Sequence, residues 1–209
     1  LDNEKKMPEH TEISAYDARF IEDMVIYKDD NLIVLNKPSG LAVQGGTNTQ
    51  RHIDGMLDAL KFDNDERPKL VHRIDKDTSG VLVLARNRKT ADLLTKAFRE
   101  HTLKKTYLAL VRGVPAKEYG EIKVPLEKAD GRVEGGKPAV TEYQVLDCVS
   151  DKYALLAASP LTGRTHQIRA HLEFIGTPIL GDGKYFGTER EKSGMFVHKL
   201  HLHAYKIDL

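Results

Sequence analysis

Apolar positions fall in short runs that change period along the chain. Residues 24–28 and 32–36 read as two strands, split by the turn residues Asp29, Asp30 and Asn31. Ile53, Met56, Leu57 and Leu60 then repeat at helical spacing. Residues 71–75 and 80–85 read as strand edges flanking a tight polar loop, the second as a buried run. Leu93, Leu94, Ala97 and Phe98 predict the buried face of another helix, with Thr90 as its cap. Strand patterns follow at 106–111, 122–124, 140–149 and 153–158, with a Gly-rich turn at 131–136. Thr165 is expected to cap a helix that turns Ile168, Leu172 and Ile175 inward and ends at Gly176. Residues 201–207 alternate and form a last strand. Many strands, few helices and hairpin-length connections favour an α+β fold: a mixed, mainly antiparallel central sheet with flanking helices. Residues 1–23 lack clear periodicity and are expected to be a linker or arm, leaving 24–209 as one domain.

Composition changes this picture little. A length of 209 residues supports one sizeable core. No apolar run approaches the roughly 20 residues of a spanning helix, so no membrane partner is expected. The first twenty residues are polar and charged, unlike a signal peptide. The chain begins at Leu1, and we expect it to be part of a longer protein. Cys148 is the single cysteine, which fits a reducing, cytoplasmic setting, and its apolar neighbours suggest a small core residue.

Net charge is +1, which by itself does not announce nucleic-acid binding. The distribution says more. Arg86, Arg88, Lys89, Lys96, Arg99, Lys104 and Lys105 crowd one segment, while acidic residues collect near the start. A polarised surface can exist at near-zero net charge, although solvated faces that bind nothing give the same pattern.

Three segments carry more polar and Gly detail than packing needs. In Leu70–Gly80, Asp75 and Asp77 sit between apolar strands, and Arg73 and Lys76 flank Asp75 so as to favour its ionised form. Asp77, Thr78 and Ser79 read as a turn that bonds its own backbone, which leaves Asp75 unexplained. In Pro160–Leu172, Arg169 follows the inward Ile168 and could reach a carboxylate elsewhere. Arg164 and the amides at this helix start could meet phosphate, or simply cap the helix. In Lys104–Val111, alternation puts Tyr107 on the face of Lys105 and Ala109, where it either packs or stacks on a base. A metal site is not expected. His198, His201 and His203 cluster, but His166 and His171 are five apart, and no matching carboxylate or Cys accompanies them. No phosphate-binding Gly loop and no dinucleotide fingerprint occur.

Together these segments resemble the bacterial ribosomal and transfer RNA pseudouridine synthases typified by the RluA and RluC enzymes. The resemblance rests on Asp30–Gly40, on His72-Arg73-Ile74-Asp75 with Thr78-Ser79-Gly80, and on Lys105–Gly113. Gly136-Lys137-Pro138-Ala139, Gly163–Arg169 and Gly176–Asp182 complete it. Each is weak alone; their order and spacing are specific. Ile74 departs from the family's usual Leu, an apolar swap. Gln44-Gly45-Gly46 looks closest to the RluC-like branch, which modifies large-subunit ribosomal RNA and carries a small S4-type domain ahead of the catalytic one. The arm at 1–23 fits such a missing upstream domain.

The resemblance implies a pseudouridine synthase fold with a catalytic cleft, working on structured RNA, with ribosomal RNA as the expected partner and transfer RNA as the alternative; a monomer is the default expectation. The reaction consumes nothing, so no cofactor is required. It further implies that Asp75 is the catalytic carboxylate and Arg169 its partner. Tyr107 would stack on the uracil and take the C5 proton, and Arg73 would hold or replace the flipped nucleotide. Lys37, Lys105 and Arg164 are implied phosphate contacts, and His72 an RNA contact. Loops 47–51 and 188–194 are expected to choose the site. Two rivals stand beside this reading. A non-catalytic RNA-binding module would use the basic surface but leaves Asp75, Tyr107 and Arg169 unexplained. A glycoside or nucleoside hydrolase would need a second carboxylate.

Overall fold

The fold is that of a computed structural model, which describes residues 13–46, 49–126, 136–186 and 199–209. Among the described residues nine strands form one sheet. They are β1 (Val25–Lys28), β2 (Leu32–Lys37), β3 (Lys69–Leu70), β4 (Ser79–Ala85), β5 (Lys104–Arg112), β6 (Tyr119–Lys123), β7 (Val140–Val149), β8 (Tyr153–Pro160) and β9 (Leu202–Asp208). Their order is β1-β2-β4-β9-β5-β8-β7-β6, with β3 added beside β4. Every pairing is antiparallel except β4 with β9. The expected mixed, mainly antiparallel sheet with few helices is therefore what the chain forms.

That one parallel pairing joins the two halves of the sheet. It spans only Ser79 opposite His203 and Gly80 opposite Ala204. Gly80 is required there. Its φ is +107°, and an added Cβ would lie 2.1 Å from the Ala204 carbonyl oxygen. One apolar core, with Ile33, Leu35, Ile53, Leu57, Leu60 and Leu82, underlies the β1-β2-β4 half. A second, with Val111, Leu156, Ile168, Leu172 and Ile179, underlies the β5-β8 half. Tyr107 packs against both.

The helices are α1 (Ala15–Glu22), α2 (Ile53–Met56, continued by a 3-10 turn over Leu57–Leu60), α3 (Arg88–Arg99) and α4 (Gln167–Phe174). Several expectations change here. Residues 15–22 are helical rather than an arm. Ser14 caps the helix and Ile21 is fully buried in the first core, although polar neighbours hide any period in so short a segment. Asn87, not Thr90, caps α3, because its side chain accepts from the Thr90 amide. Leu93 points to solvent, and Ala91 takes the buried place beside Leu94 and Phe98. Residues 71–75 are irregular rather than strand, as β3 stops at Leu70. Cys148 is exposed on β7, not in the core. Arg86 is buried, spanning to the Asp29 carbonyl and the Asp63 carboxylate, and so leaves the basic surface. No described helix is long and apolar enough to cross a membrane. Residues 131–135 of the Gly-rich turn, residues 47–48 of loop 47–51 and all of loop 188–194, with its neighbours up to His198, lie outside the described residues.

Candidate active site

A cavity of about 370 Å³ opens where the loop before β4, β5, the end of β8 and β9 meet the start of α4, and Asp75, Tyr107, Arg164, His166 and Arg169 line it. A second hollow shares Arg73, Asp75, His166 and Arg169, so Asp75 stands between two parts of one groove. The first volume is in the range usual for small-ligand sites.

Asp75 sits in the loop between β3 and β4. The loop is pinned from beneath by Ile74, which is buried in the first core. It is also stitched to residues 37–41. The Gly40 amide donates to the Lys76 carbonyl at 2.9 Å, Ser39 Oγ donates to the Asp77 carbonyl at 2.7 Å, and the Thr78 amide donates to the Asp75 carbonyl at 3.1 Å. Thr78 is buried, as expected for a turn that bonds its own backbone.

Lys37 completes this stitching. Its side chain is fully buried, and Nζ donates to the carbonyls of Pro38, Leu41 and Lys76 at 2.9, 2.7 and 2.8 Å. Three donors meet three acceptors, so no proton is left for a phosphate. Burial brings its ammonium down to about 8, partly opposed by Asp77 and Asp75. The expected phosphate contact is thus an internal brace. His72 is likewise turned inward. Its Nε2 accepts from the Val83 amide at 2.9 Å, and its ring stacks on Phe98 at 4.2 Å. Burial, with Lys105 nearby, pushes the imidazole down to about 3. It supports β4 and does not line either part of the groove.

Arg169 reaches the site from α4 and is buried. Its Nη1 lies 3.9 Å from Asp75 Oδ2, beyond hydrogen-bond length. Its firm partner is Asp182, which accepts from Nε at 2.7 Å and from Nη2 at 2.8 Å. Asp182 also accepts from the amides of Lys184 and Tyr185, while the Tyr185 ring lies under the guanidinium at 5.2 Å. Burial alone would raise the Asp182 carboxyl, but these bonds outweigh it and hold it below the ordinary range. In the sequence Asp182 stands only as the last residue of the Gly176–Asp182 motif. A buried acid shortly after a Gly-Thr-Pro turn offers no signal of its partner.

The start of α4 is also not what its sequence suggests. Thr165 is exposed, and His166 holds the cap position in a left-handed conformation, φ 55°, with no side-chain cap bond. Gln167 secures the turn instead. Its carbonyl oxygen accepts from Thr162 Oγ1 at 2.6 Å and from the Arg164 amide at 3.1 Å. Its amino group donates to the Val140 carbonyl at 2.8 Å and to Thr141 Oγ1 at 3.0 Å. The helix does end at Gly176, in positive φ, with Leu172 and Ile168 buried.

Tyr107 points into the cavity from β5, on the face expected from alternation with Lys105 and Ala109. Burial, and then the charge of Asp75, push its hydroxyl up to about 12. Lys105 and Arg164 line the same cavity, and Arg73 is exposed at its rim. Burial lowers the Lys105 ammonium. Among the described residues, Asp75 is the only carboxylate lining this cavity. The remaining candidates for metal lie elsewhere. His203 Nδ1 meets Ser79 Oγ at 2.9 Å, and His201 Nδ1 meets the Leu180 carbonyl at 3.1 Å. No group of three or more His, Cys, Asp or Glu suited to a metal occurs among the described residues.

Comparison with known proteins gives one consistent answer. Residues 31–174 match the family described as RNA pseudouridylate synthase. The chain is 42% identical over 207 residues to RNA pseudouridine synthase 4, mitochondrial, of Arabidopsis thaliana, covering 85% of this chain and 43% of that protein. It is 44% identical over 175 residues to the ribosomal large subunit pseudouridine synthase C of Rickettsia conorii, covering 80% and 57%. The chain thus spans about half the length of these curated relatives. Among solved structures it superposes on human RNA pseudouridylate synthase domain containing 4 with a TM-score of 0.78 at 32% identity, covering 91% of this chain and 85% of that one. A sheet with one parallel seam, an acid loop at that seam and a family match over most of its length place this chain in the RNA pseudouridylate synthase family.

Proposed function

We propose that this chain isomerises uridine to pseudouridine in RNA, with Asp75 as the acting carboxylate. The observation that carries the reading is the meeting of Asp75, Tyr107 and Arg169 in one cavity from three separate elements. The reaction breaks the bond between N1 and C1′, turns the uracil and joins C5 to C1′. Breaking that bond develops positive charge on the ribose, as in glycoside hydrolysis. A carboxylate beside the sugar stabilises this charge, and can attack C1′ or remove a sugar proton. The Arg169 guanidinium lies 3.9 Å from the Asp75 carboxylate, and Asp182 keeps that cation in place. Water must be kept from the intermediate, which the half-enclosed cavity between β5 and α4 assists.

Tyr107 offers its ring face to the base. Its hydroxyl, pushed up to about 12, is protonated at neutral pH as any tyrosine's is, and the buried ring is suited to stacking on a base. The target nucleotide must leave its stack to reach this depth, at a cost of roughly a few kcal/mol. Arg73, Lys105 and Arg164 line the way in and are suited to phosphate or to the space the base leaves. Among the described residues Asp75 is the one carboxylate lining the first cavity, which disfavours a two-acid hydrolase there.

The substrate we infer is large-subunit ribosomal RNA, because relatives over 40% identical carry that substrate in their names. Incubating the chain with unmodified large-subunit ribosomal RNA and, separately, unmodified transfer RNA, then mapping pseudouridine, tests this. Pseudouridine in the ribosomal RNA is expected. Its appearance in transfer RNA alone would move the substrate, and release of free uracil would point to hydrolysis.

A further inference from the structure

Among the described residues lining the cavity, His166 is the one non-glycine held in left-handed backbone, a conformation that costs free energy. Its φ of 55° is left-handed, and it gains no cap bond from it. Outliers of this kind concentrate at functional sites, where surrounding structure enforces them. Here Gln167 does the enforcing, through its four bonds to residues 140–164. The result is an imidazole aimed into the groove. Its ring meets Tyr185 edge-on at 5.8 Å, with Nδ1 3.4 Å from the Tyr185 hydroxyl. Its Nε2 lies 3.9 Å from Asp75 Oδ2, too far for a hydrogen bond to be spent there. A polar atom is therefore held beside the acid, facing the space a ribose would fill.

We propose that His166 hydrogen-bonds the 2′-hydroxyl of the target uridine and helps the site tell ribose from deoxyribose. The proposal rests on the isomerising role of Asp75 and deepens it. Asp75 works either at C1′, by attack, or at C2′, by taking its proton. O2′ is bonded to C2′ and is one carbon away from C1′. It is the hydroxyl next to the reacting atom in both routes, so a group beside Asp75 meets it in both. A hydroxyl both donates and accepts, and it is the feature by which a protein separates RNA from DNA at one nucleotide.

The charge around the ring fits this contact. Burial, Arg169 and Lys184 push the imidazole down, against Asp75 and Asp182, and leave it below the ordinary histidine range. A neutral ring can accept from a hydroxyl with one nitrogen or donate to it with the other tautomer.

The test compares kcat/KM of the unaltered chain and of His166→Asn on two versions of one RNA, with uridine or a single 2′-deoxyuridine at the target. Asn tolerates left-handed backbone and suits a helix start. The preference for ribose should fall about tenfold, the scale of one hydrogen bond, through loss on the ribose substrate. His166→Gly keeps the backbone at ease and should show the same loss should the Asn side chain bond the hydroxyl itself. An unchanged preference in both variants, whether or not overall rates fall, would overturn the proposal. If the unaltered chain made no pseudouridine in either RNA, the activity reading itself would fail and this proposal with it.

Discussion

Asp182 grips Arg169 through two bonds of 2.7 and 2.8 Å, which leaves Nη1 of that guanidinium as the nitrogen nearest Asp75, 3.9 Å away. The cation of the site is thus fixed by one acid and presented to another. Arg169 does not depend on Asp75 for its place, so the field at Asp75 exists before substrate binds.

Breaking this grip should harm both stability and turnover. Asp182→Asn or Arg169→Ala leaves one partner of a buried pair uncompensated, at a cost of about 3–5 kcal/mol. Urea titration should show the loss, together with activity well below that of the unaltered chain. Near-normal rates in Arg169→Ala would remove the guanidinium from the mechanism.

Lys37→Met should destabilise without weakening phosphate contacts. Three buried or half-buried carbonyls lose their donor, and we expect about 2–4 kcal/mol. The slope of RNA affinity against salt should stay that of the unaltered chain. A shallower slope would restore Lys37 as a phosphate contact.

Acid should destabilise the fold through its histidines. Burial pushes His72 down to about 3 and also lowers His101, His166, His171 and His203. Between that value and about 6.5 the unfolded chain binds more protons than the folded one. The stability that neutral His72 supports is therefore whole above pH 6.5 and lost as pH falls towards 3. Thermal melting from pH 7 to 4.5 should show the decline, and His72→Gln, whose side-chain oxygen can still accept from Val83, should flatten it. An equal slope in that variant would place the acid sensitivity elsewhere.

Affinity for RNA should fall as salt rises, because each neutralised phosphate releases counterions. Arg73→Ala and Arg164→Ala should each reduce the slope by about one. A slope unchanged in both variants would move the RNA path off this face of the groove.

The strands and the acid loop were legible because their signals are local. Alternation fixes which face Tyr107 shares with Lys105, and the run at 80–85 can only be a buried strand. What escaped were relationships between distant positions. Lys37 reads as a basic residue in a polar loop, and nothing nearby announces that three carbonyls, one of them 39 positions on, will enclose it. Thr165 has the right chemistry for a cap, yet Gln167 wins because it can reach Val140 and Thr141 on β7. Helical period alone turns Leu93 inward. The helix rotates to bury the small Ala91 where β4 comes close.

The central claim is that the Asp75 carboxylate performs the chemistry. Single-turnover pseudouridine formation by the unaltered chain and by Asp75→Asn, on the same ribosomal RNA fragment and at saturating protein, tests it most directly. We expect full conversion by the first, none by the second, and similar RNA affinity and melting temperature for both. Measurable conversion by a folded, RNA-bound Asp75→Asn chain would contradict the account.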